Sequence, residues 1–340
     1  MLKILVVMGG ISSESEISIK TGKEIAKSLS KKYDVIEYIL KDIKEFYKFI
    51  LDNSFDFVFL ALHGKYGEDG VIQAFLDSIN IKYSFPSFYS SFIGFNKMLS
   101  NLVVEKFISE KNIKNLFIPK SIYLNLNYIN KKGYNLIDYV ILKLKEEFIS
   151  DYIIVKPNSS GSSVGVSKVK TDDLNSLNKA LEIALKEDDK FICIQEYIQG
   201  LEISVGVLQN QNEIIPLEVC QLEVQDIFDY ERKYIVNTKH IIPPNIDESL
   251  LDYIKFISRE LFLVFDAKDV VRFDYRLTND NKLYFLEVNT IPGFTPVSIV
   301  PDQARVSGFS FEELLDIIIN NNTSKNLKFK VNEKEFFIGF

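Results

Sequence analysis

Two cysteines and two histidines are all that 340 residues contain of those types. Cys193 and Cys220 each sit in an apolar, strand-like run. Two thiols cannot build a disulfide framework or a zinc centre, so they read as free buried thiols in a reducing compartment. Basic blocks longer than a few residues are missing and the net charge is −7, which argues against a nucleic-acid partner. No run approaches the ~20 apolar residues of a membrane helix. The opening "MLKILVVMGG" is too short an apolar run for a signal peptide, and Gly9-Gly10 leads into an acidic helical pattern, so a first strand is expected. Internal repeats and long low-complexity segments are absent. So are two phosphate-binding fingerprints, GxxxxGK[ST] and a GxGxxG after a strand, which excludes the P-loop and the common dinucleotide site.

What remains is a globular composition, 46% hydrophobic and 26% charged, on a chain long enough for two or three domains. The first ninety residues alternate between the two periods. "KILVVM", "YDVIEYIL", "FDFVFLAL" and "IKYSF" read as strands, and "SESEISIKTGKEIAKSL", "DIKEFYKFILD" and "EDGVIQAFLDSI" as helices. Ser13 and Glu16 have the spacing of a capping box. This order predicts a small doubly wound parallel sheet with helices on both faces, and ligands bind at the carboxyl ends of such strands. There lie "GGISSE" and "HGKYGEDG". Residues 87–111 read as one long helix containing Lys97, followed by mixed α/β segments. Among these are the strands "YIIVKP", "VGVSKV", "KFICIQEYI", "LEISVGVLQ", "EIIPLEVC", "DVVRFDYRL" and "LYFLEVNT", with helices near 247–265 and 310–320. The tail past Asn322 alternates once more and is expected to form a small hairpin.

Two of these strands carry chemistry. In "DVVRFDYRL", Val271, Phe273, Tyr275 and Leu277 face one way, and Arg272, Asp274 and Arg276 the other. In "LYFLEVNTIPGF", Glu287 and Asn289 stand two residues apart and share a face just before a Pro-Gly turn. Laid side by side, the strands would gather Asp274, Glu287 and Asn289, hard oxygen donors of the kind that hold Mg²⁺ with phosphate. A partner for that ion is offered by "IVKPNSSGSSVGVSKV", where Lys156 ends a strand and a Gly/Ser loop follows with backbone N–H groups able to cradle phosphate oxygens. The same loop contains "GSSVG", a match to the nucleophile elbow with Ser163 as nucleophile. That elbow needs a following helix, and "VGVSKV" reads as a strand, so a serine hydrolase using His63 or His240 is the weaker alternative.

Six segments in order, "GGISSESEIS", "HGKYGEDGVIQ", "VKPNSSGSSVGVSKV", "DYERKY", "RFDY" and "LEVNTIPGFTPVSIVP", resemble the D-alanine–D-alanine ligase family of the ATP-grasp superfamily, from about residue 3 to 320. The resemblance implies an α/β and α+β chain. An N-terminal Rossmann-like domain (1–95) would precede a two-subdomain ATP-grasp fold, central (96–189) and C-terminal (190–340). It implies ATP and two Mg²⁺ ions, replaceable by Mn²⁺, on Asp274, Glu287 and Asn289. Lys97 and Lys156 would bind phosphates under the loop bearing Ser163. Gln195, Glu196 and Tyr197 would meet the base, with Gln195 where an acid is expected, and Glu202 the ribose. Glu14, supported by His63, would hold the ammonium of the first D-alanine. Arg272 and the Gly293 N–H would form an oxyanion hole. Lys233 would contact the transferring phosphate, Ser298 and Ile299 the second D-alanine, and Tyr234 would bond Ser162 to close the site. The implied reaction joins two D-alanines through an acyl phosphate for peptidoglycan precursors, in the cytoplasm, by a homodimer with neither nucleic-acid nor membrane partners. D-alanine–D-lactate or D-serine ligation is the near alternative, and the Lys-Tyr pair of "DYERKY" favours an amine acceptor.

Overall fold

The structure is a computed structural model that describes residues 1–147, 150–161, 163–223 and 239–324. Three sheets organise it. The first is parallel, with β1 (Lys3–Gly9) between β2 (Asp34–Leu40) and β3 (Phe57–Leu60). All four residues of β3 and six of the seven in β1 are buried, as parallel strands demand. The expected fourth strand "IKYSF" is reduced to a single parallel bridge, Val58 to Tyr83.

Helix α1 (Ser15–Leu29) packs on this sheet, and α2 (Ile43–Asp52) is capped by Asp42, whose carboxylate accepts from Lys44 N and Glu45 N. The expected capping box does not form: Glu14, not Ser13, is the N-cap residue, and its side chain makes no cap hydrogen bond. Its carboxylate is turned toward the Gly64 and Gly161 backbones, so the demands of a site override the local helix signal. After α3 (Val71–Ser78), the long helix expected over 87–111 is two: α4 (Phe88–Phe95) and α5 (Lys97–Lys111). Asn96 breaks them with extended backbone (ψ 107°) and caps the second through Leu99 N.

The second sheet is antiparallel: β5 (Ser121–Asn125), β8 (Phe191–Glu196), β6 (Tyr152–Pro157), β7 (Ser167–Lys170), in that spatial order. Helices α6 (Leu126–Lys131), α7 (Leu136–Glu147) and α8 (Leu174–Glu187) complete its core. The third sheet runs β12 (His240–Ile241), β11 (Cys220–Leu222), β9 (Leu201–Asn210), β13 (Val270–Leu277), β14 (Leu283–Asn289), β4 (Leu116–Phe117), with β10 (Glu213–Pro216) beside β9. The expected strand "EIIPLEVC" is thus divided, β10 stopping at Pro216, which has no N–H to donate to a ladder. Helix α9 (Glu248–Val264) covers this sheet, and α10 (Ile299–Val306) and α11 (Phe311–Thr323) follow the Pro-Gly turn. The tail expected to form a hairpin lies outside the described residues.

The first and third parts of the chain share a core. Ile291, Phe294, Val300 and residues of α11 pack with β1 and β3 in one cluster. Phe294, next to the Pro-Gly turn, stands 6.4 Å from Phe59, 5.6 Å from Phe85 and 6.1 Å from Phe311, ring centre to ring centre. This fully buried ring pins the turn against the N-terminal sheet. Phe294→Ala is expected to lower unfolding free energy by about 3–5 kcal/mol, measured by urea denaturation, and to weaken turnover more than a distant cavity of equal cost. A variant as stable as the parent would show that the ring does not anchor the turn.

Candidate functional site

Strands β9, β13 and β14 meet in a ladder. Ser204 pairs with Asp274 and Asp274 with Glu287; one step along, Gly206 pairs with Arg272 and Arg272 with Asn289; one step the other way, Glu202 pairs with Arg276. The register between β13 and β14 shifts after Asp274, because Tyr275 pairs with Phe285. Leu286 is the extra residue of a β-bulge. Leu283 and Phe285 point into the core, and strict alternation would have sent Glu287 and Asn289 after them. The bulge reverses the phase: Leu286 and Glu287 both line a cleft, while Val288 takes the core position.

Asp274 accepts from Ser204 Oγ (2.6 Å) and, with both oxygens, from Arg272 Nε (2.8 Å) and Nη2 (2.7 Å). Asp274 and Glu287 oppose each other across the strands, an arrangement of like charges that calls for a cation. Beside them, Asn289 Oδ1 is buried with no hydrogen-bond partner. No cluster of three or more His, Cys, Asp or Glu side chains suited to a metal occurs among the described residues. The donor set here is two acids and an amide oxygen, which suits a hard divalent ion, and the orphaned amide oxygen makes Asp274, Glu287 and Asn289 fit to hold Mg²⁺.

The cleft has a cavity volume of about 100 Å³ and opens to solvent between the second and third sheets. Lys97, Lys156, Ser163, Gln195, Glu196, Tyr197 and Glu202 line it together with Asp274 and Glu287, so the structure collects residues from five separate stretches of sequence. Ile154, Val166, Ile198 and Leu286 supply apolar walls, a slot suited to a flat ring. Lys97 Nζ donates to Ser160 O (2.8 Å), and Lys97 N and Met98 N are bonded to Asn158, which stitches the Gly/Ser loop to the start of α5. Burial draws the Lys97 ammonium below the ordinary lysine range, opposed by the Glu287 charge and reinforced by Lys156. Lys156 donates to Gln195 Oε1 (2.9 Å), and Gln195 donates to Ser121 Oγ (3.0 Å). Gln195 thus has one lone pair engaged by a lysine. Glu196 accepts from Lys120 N at 2.8 Å.

At the carboxyl ends of β1 and β3 lie Glu14 and His63, both buried. His63 faces Thr21 Oγ1 (3.4 Å) and bonds the Ile291 backbone. Burial lowers its pKa, only partly offset by Glu14, so the ring is neutral at physiological pH. A residue that sequence reasoning did not single out joins them. Glu68, of the same "HGKYGEDG" segment, accepts from Gly64 N at 2.7 Å. A Cβ on Gly161 would sit 2.8 Å from both Glu14 Oε2 and Glu68 Oε2, so with glycine here the loop approaches the two acids without displacing their carboxylates. The available signal was its place beside His63.

Burial, then the Glu14 and Glu287 charges, raise Glu68 to about 8 from 4.5. The folded, ligand-free protein then holds a proton that the unfolded chain has released, so this group's stabilisation is complete below the unfolded value and is lost as pH rises toward about 8. Glu68→Gln should flatten the fall of stability between about pH 5 and about pH 8, followed by denaturant unfolding. An unchanged slope would remove Glu68 as its source.

Gly293 and Ser298 face each other across the Pro-Gly turn, a Cβ on Gly293 falling 3.2 Å from Ser298 Oγ. Ser298 Oγ accepts from Thr295 N (3.1 Å) and leaves α10, which begins at Ile299, without a side-chain cap. Ser163 has a left-handed φ of 57°, but β7 and not a helix follows it. His63 is held by Thr21 and Ile291 and His240 by Asp302, so neither histidine is bonded to Ser163 as a hydrolase requires. Ser162, Lys233 and Tyr234 lie outside the described residues.

Comparison with known proteins places this geometry. A sequence profile described as D-ala D-ala ligase C-terminus matches residues 118–320, well over half of the chain, and one described as D-ala D-ala ligase N-terminus matches residues 43–84. The chain belongs to the D-alanine–D-alanine ligase family. It is 35% identical to D-alanine–D-alanine ligase B of Clostridium perfringens over 335 residues, covering 96% of this chain and 100% of that one. It is 36% identical over 323 residues to the D-alanine–D-alanine ligase of Fervidobacterium nodosum, covering 94% and 98%. The crystal structure of the Bacillus anthracis ligase complexed with ATP superimposes with a TM-score of 0.73 at 28% identity, over 95% of this chain and 97% of that one. The family's two profiles thus bracket the acids of "HGKYGEDG" on one side and the whole β9–β13–β14 ladder on the other. No helix among the described residues is long and apolar enough to cross a membrane.

Proposed function

We propose that the chain is a D-alanine–D-alanine ligase, joining two D-alanines at the expense of ATP to give the dipeptide, ADP and phosphate. The observation that carries this is the ladder: three strands present Ser204, Asp274, Glu287, Arg272 and Asn289 on one face, beside a cleft with two buried lysines and an apolar slot. ATP would lie in that cleft, its base between Ile154, Val166 and Leu286 near Gln195, Glu196 and Tyr197, its ribose at Glu202, and its phosphates at Lys97, Lys156 and the loop of Ser163. Asp274, Glu287 and Asn289 would hold Mg²⁺, which when bound neutralises and orients the phosphates.

The first D-alanine would place its ammonium at Glu14, with neutral His63 behind it. Its carboxylate oxygen attacks the γ-phosphorus, the bond to the ADP oxygen breaks, and D-alanyl phosphate results. The second D-alanine sets its carboxylate at Ser298 and the uncapped N-terminus of α10, at Ile299, where backbone N–H groups favour an anion. Its amine attacks the acyl carbon. The oxyanion that develops is met by Arg272 and the Gly293 N–H, and collapse expels phosphate while the amine loses a proton. No protein nucleophile is needed; the residues bind, align and stabilise charge. Lys233 keeps the contact to the transferring phosphate, and Ser162 and Tyr234 the closing bond, that the resemblance implies. The units 1–95, 96–189 and 190–340, a cytoplasmic location and a homodimer complete the proposal.

The test is D-alanine-dependent phosphate release from ATP, with Mg²⁺ omitted and then restored and the product identified by mass. Release that needs both, with D-alanyl-D-alanine as product, is expected. ATP cleavage indifferent to D-alanine would overturn the reading, and a D-alanine–D-lactate ester formed in preference, with both acceptors present, would redirect it.

A further inference from the structure

Arg276 shares the cleft-facing side of β13 with Arg272 and Asp274, yet nothing in the reaction above uses it. Its guanidinium reaches one short stretch at three points. Nη2 pairs with Glu202 Oε2 at 2.8 Å, Nη1 donates to Gly200 O at 2.9 Å, and Cζ stands 6.0 Å from the centre of the Tyr197 ring. The Arg276 and Glu202 side chains are only 8% and 10% exposed, and both line the cleft. That stretch joins β8, in the second sheet, to β9, in the third. A Cβ on Gly200 would fall 2.2 Å from Leu277 O, so the connection lies flat on the end of β13 and only glycine permits it.

We propose that Arg276 is a positioning residue for the nucleotide sugar: it clamps Glu202 and Gly200 at the joint between the two sheets and so sets the preference for ribose over 2′-deoxyribose. The proposal rests on the reading that ATP occupies this cleft. A carboxylate on a flexible stem discriminates poorly, because it can swing to follow whichever hydroxyl is present. A guanidinium fork that holds one carboxylate oxygen and the neighbouring carbonyl removes that freedom and presents the group to a vicinal diol in one direction. The loss of a hydroxyl then leaves a buried acceptor unmatched. Arg276 holds Glu202 and Gly200, at the part of the cleft assigned to the ribose, so its influence belongs to nucleotide recognition rather than to the chemical step.

The experiment compares the parent, Arg276→Met, Arg276→Lys and Glu202→Gln in the full chain. KM and kcat are measured for ATP and for 2′-deoxyATP at saturating D-alanine and Mg²⁺. The parent should prefer ATP. Arg276→Met should raise KM for ATP about tenfold with kcat changed less than about threefold. KM for 2′-deoxyATP should move little, so that the preference falls toward one. Lysine keeps the charge without the two-point hold, and Arg276→Lys should lie between. A merely structural ion pair would lower thermal stability and leave the ratio of the two nucleotides at the parent value; that outcome overturns the proposal. So does a parent with no preference. Should Arg276→Met fail to fold, a parent-like ratio in Arg276→Lys overturns it equally. Failure of the underlying reading is distinguishable: the parent would show no D-alanine-dependent ATP turnover, or Glu202→Gln would leave both KM values unchanged.

Discussion

Arg272→Ala is expected to lower kcat/KM about 10²–10³-fold. The guanidinium stands between the Asp274 carboxylate, to which it is bonded twice, and the face shared with Asn289, and it is 5% exposed. On the proposed mechanism, removing it deletes a fixed cation from the place where negative charge would develop, and water that replaces it would have to reorganise during the reaction. The same change leaves Asp274 buried opposite Glu287 with less compensation, which costs about 3–5 kcal/mol of stability where a buried pair is broken. Arg272→Lys separates the two effects: it restores the charge, and with it stability, but not the two-pronged geometry. Assays run well below the unfolding temperature of each variant should find both slow, with alanine the slower. Turnover within threefold of the parent in a folded Arg272→Ala protein would remove this residue from the reaction.

Glu287→Gln should divide activity from stability. The substitution is nearly isosteric and removes one of two like charges facing each other across the ladder, so the ligand-free protein should be as stable as the parent or more so. Turnover should nevertheless fall by about 10³-fold, the equivalent of ~4 kcal/mol of lost metal-assisted charge stabilisation. Glu287 also supports the charge on Lys97, whose ammonium burial already disfavours, so the variant should weaken the proposed phosphate site twice. Thermal unfolding with and without Mg²⁺ and ATP reports the cause. The parent should gain stability from the pair of ligands by linkage, and the variant should gain markedly less. Equal gains, or a rate near the parent's, would show that Glu287 does not serve the cation.

Much of the site was legible because its residues come in short, chemically unusual runs. "HGKYGEDG", the Gly/Ser loop after Lys156 and the acid-amide pair before the Pro-Gly turn were visible before any contact was known, and the cleft collects most of them. The parallel N-terminal sheet was equally legible, since buried strands and amphipathic helices have different periods. Helix boundaries were less so. Asn96 carries a local N-cap signal, but "FIGFNKMLS" continues an apolar pattern across it; the pairing of Asn96 with Ser159 and of Lys97 N with Asn158 O, about 60 residues away, fixes the interruption there. The Ser13–Glu16 capping signal failed for a related reason, since Glu14 is drawn inward to the loop glycines.

By itself the sequence determined which side chains could act: oxygen donors two apart on a strand, lysines beside a glycine loop, and too few cysteines and histidines for other chemistries. Which way those donors point was decided only in three dimensions. Counted by twos from the core residues Leu283 and Phe285, Glu287 and Asn289 would lie inside the protein. The bulge at Leu286, formed because β13 pairs Asp274 with Glu287 but Tyr275 with Phe285, turns Glu287 to the cleft and puts Asn289 on the same face, opposite Arg272. Pairing register is a property of two strands together, so no single stretch of residues encodes it. The grip of Arg276 on Glu202 and Gly200 has the same origin: more than seventy residues separate the partners, and only the closing of the sheet makes them neighbours.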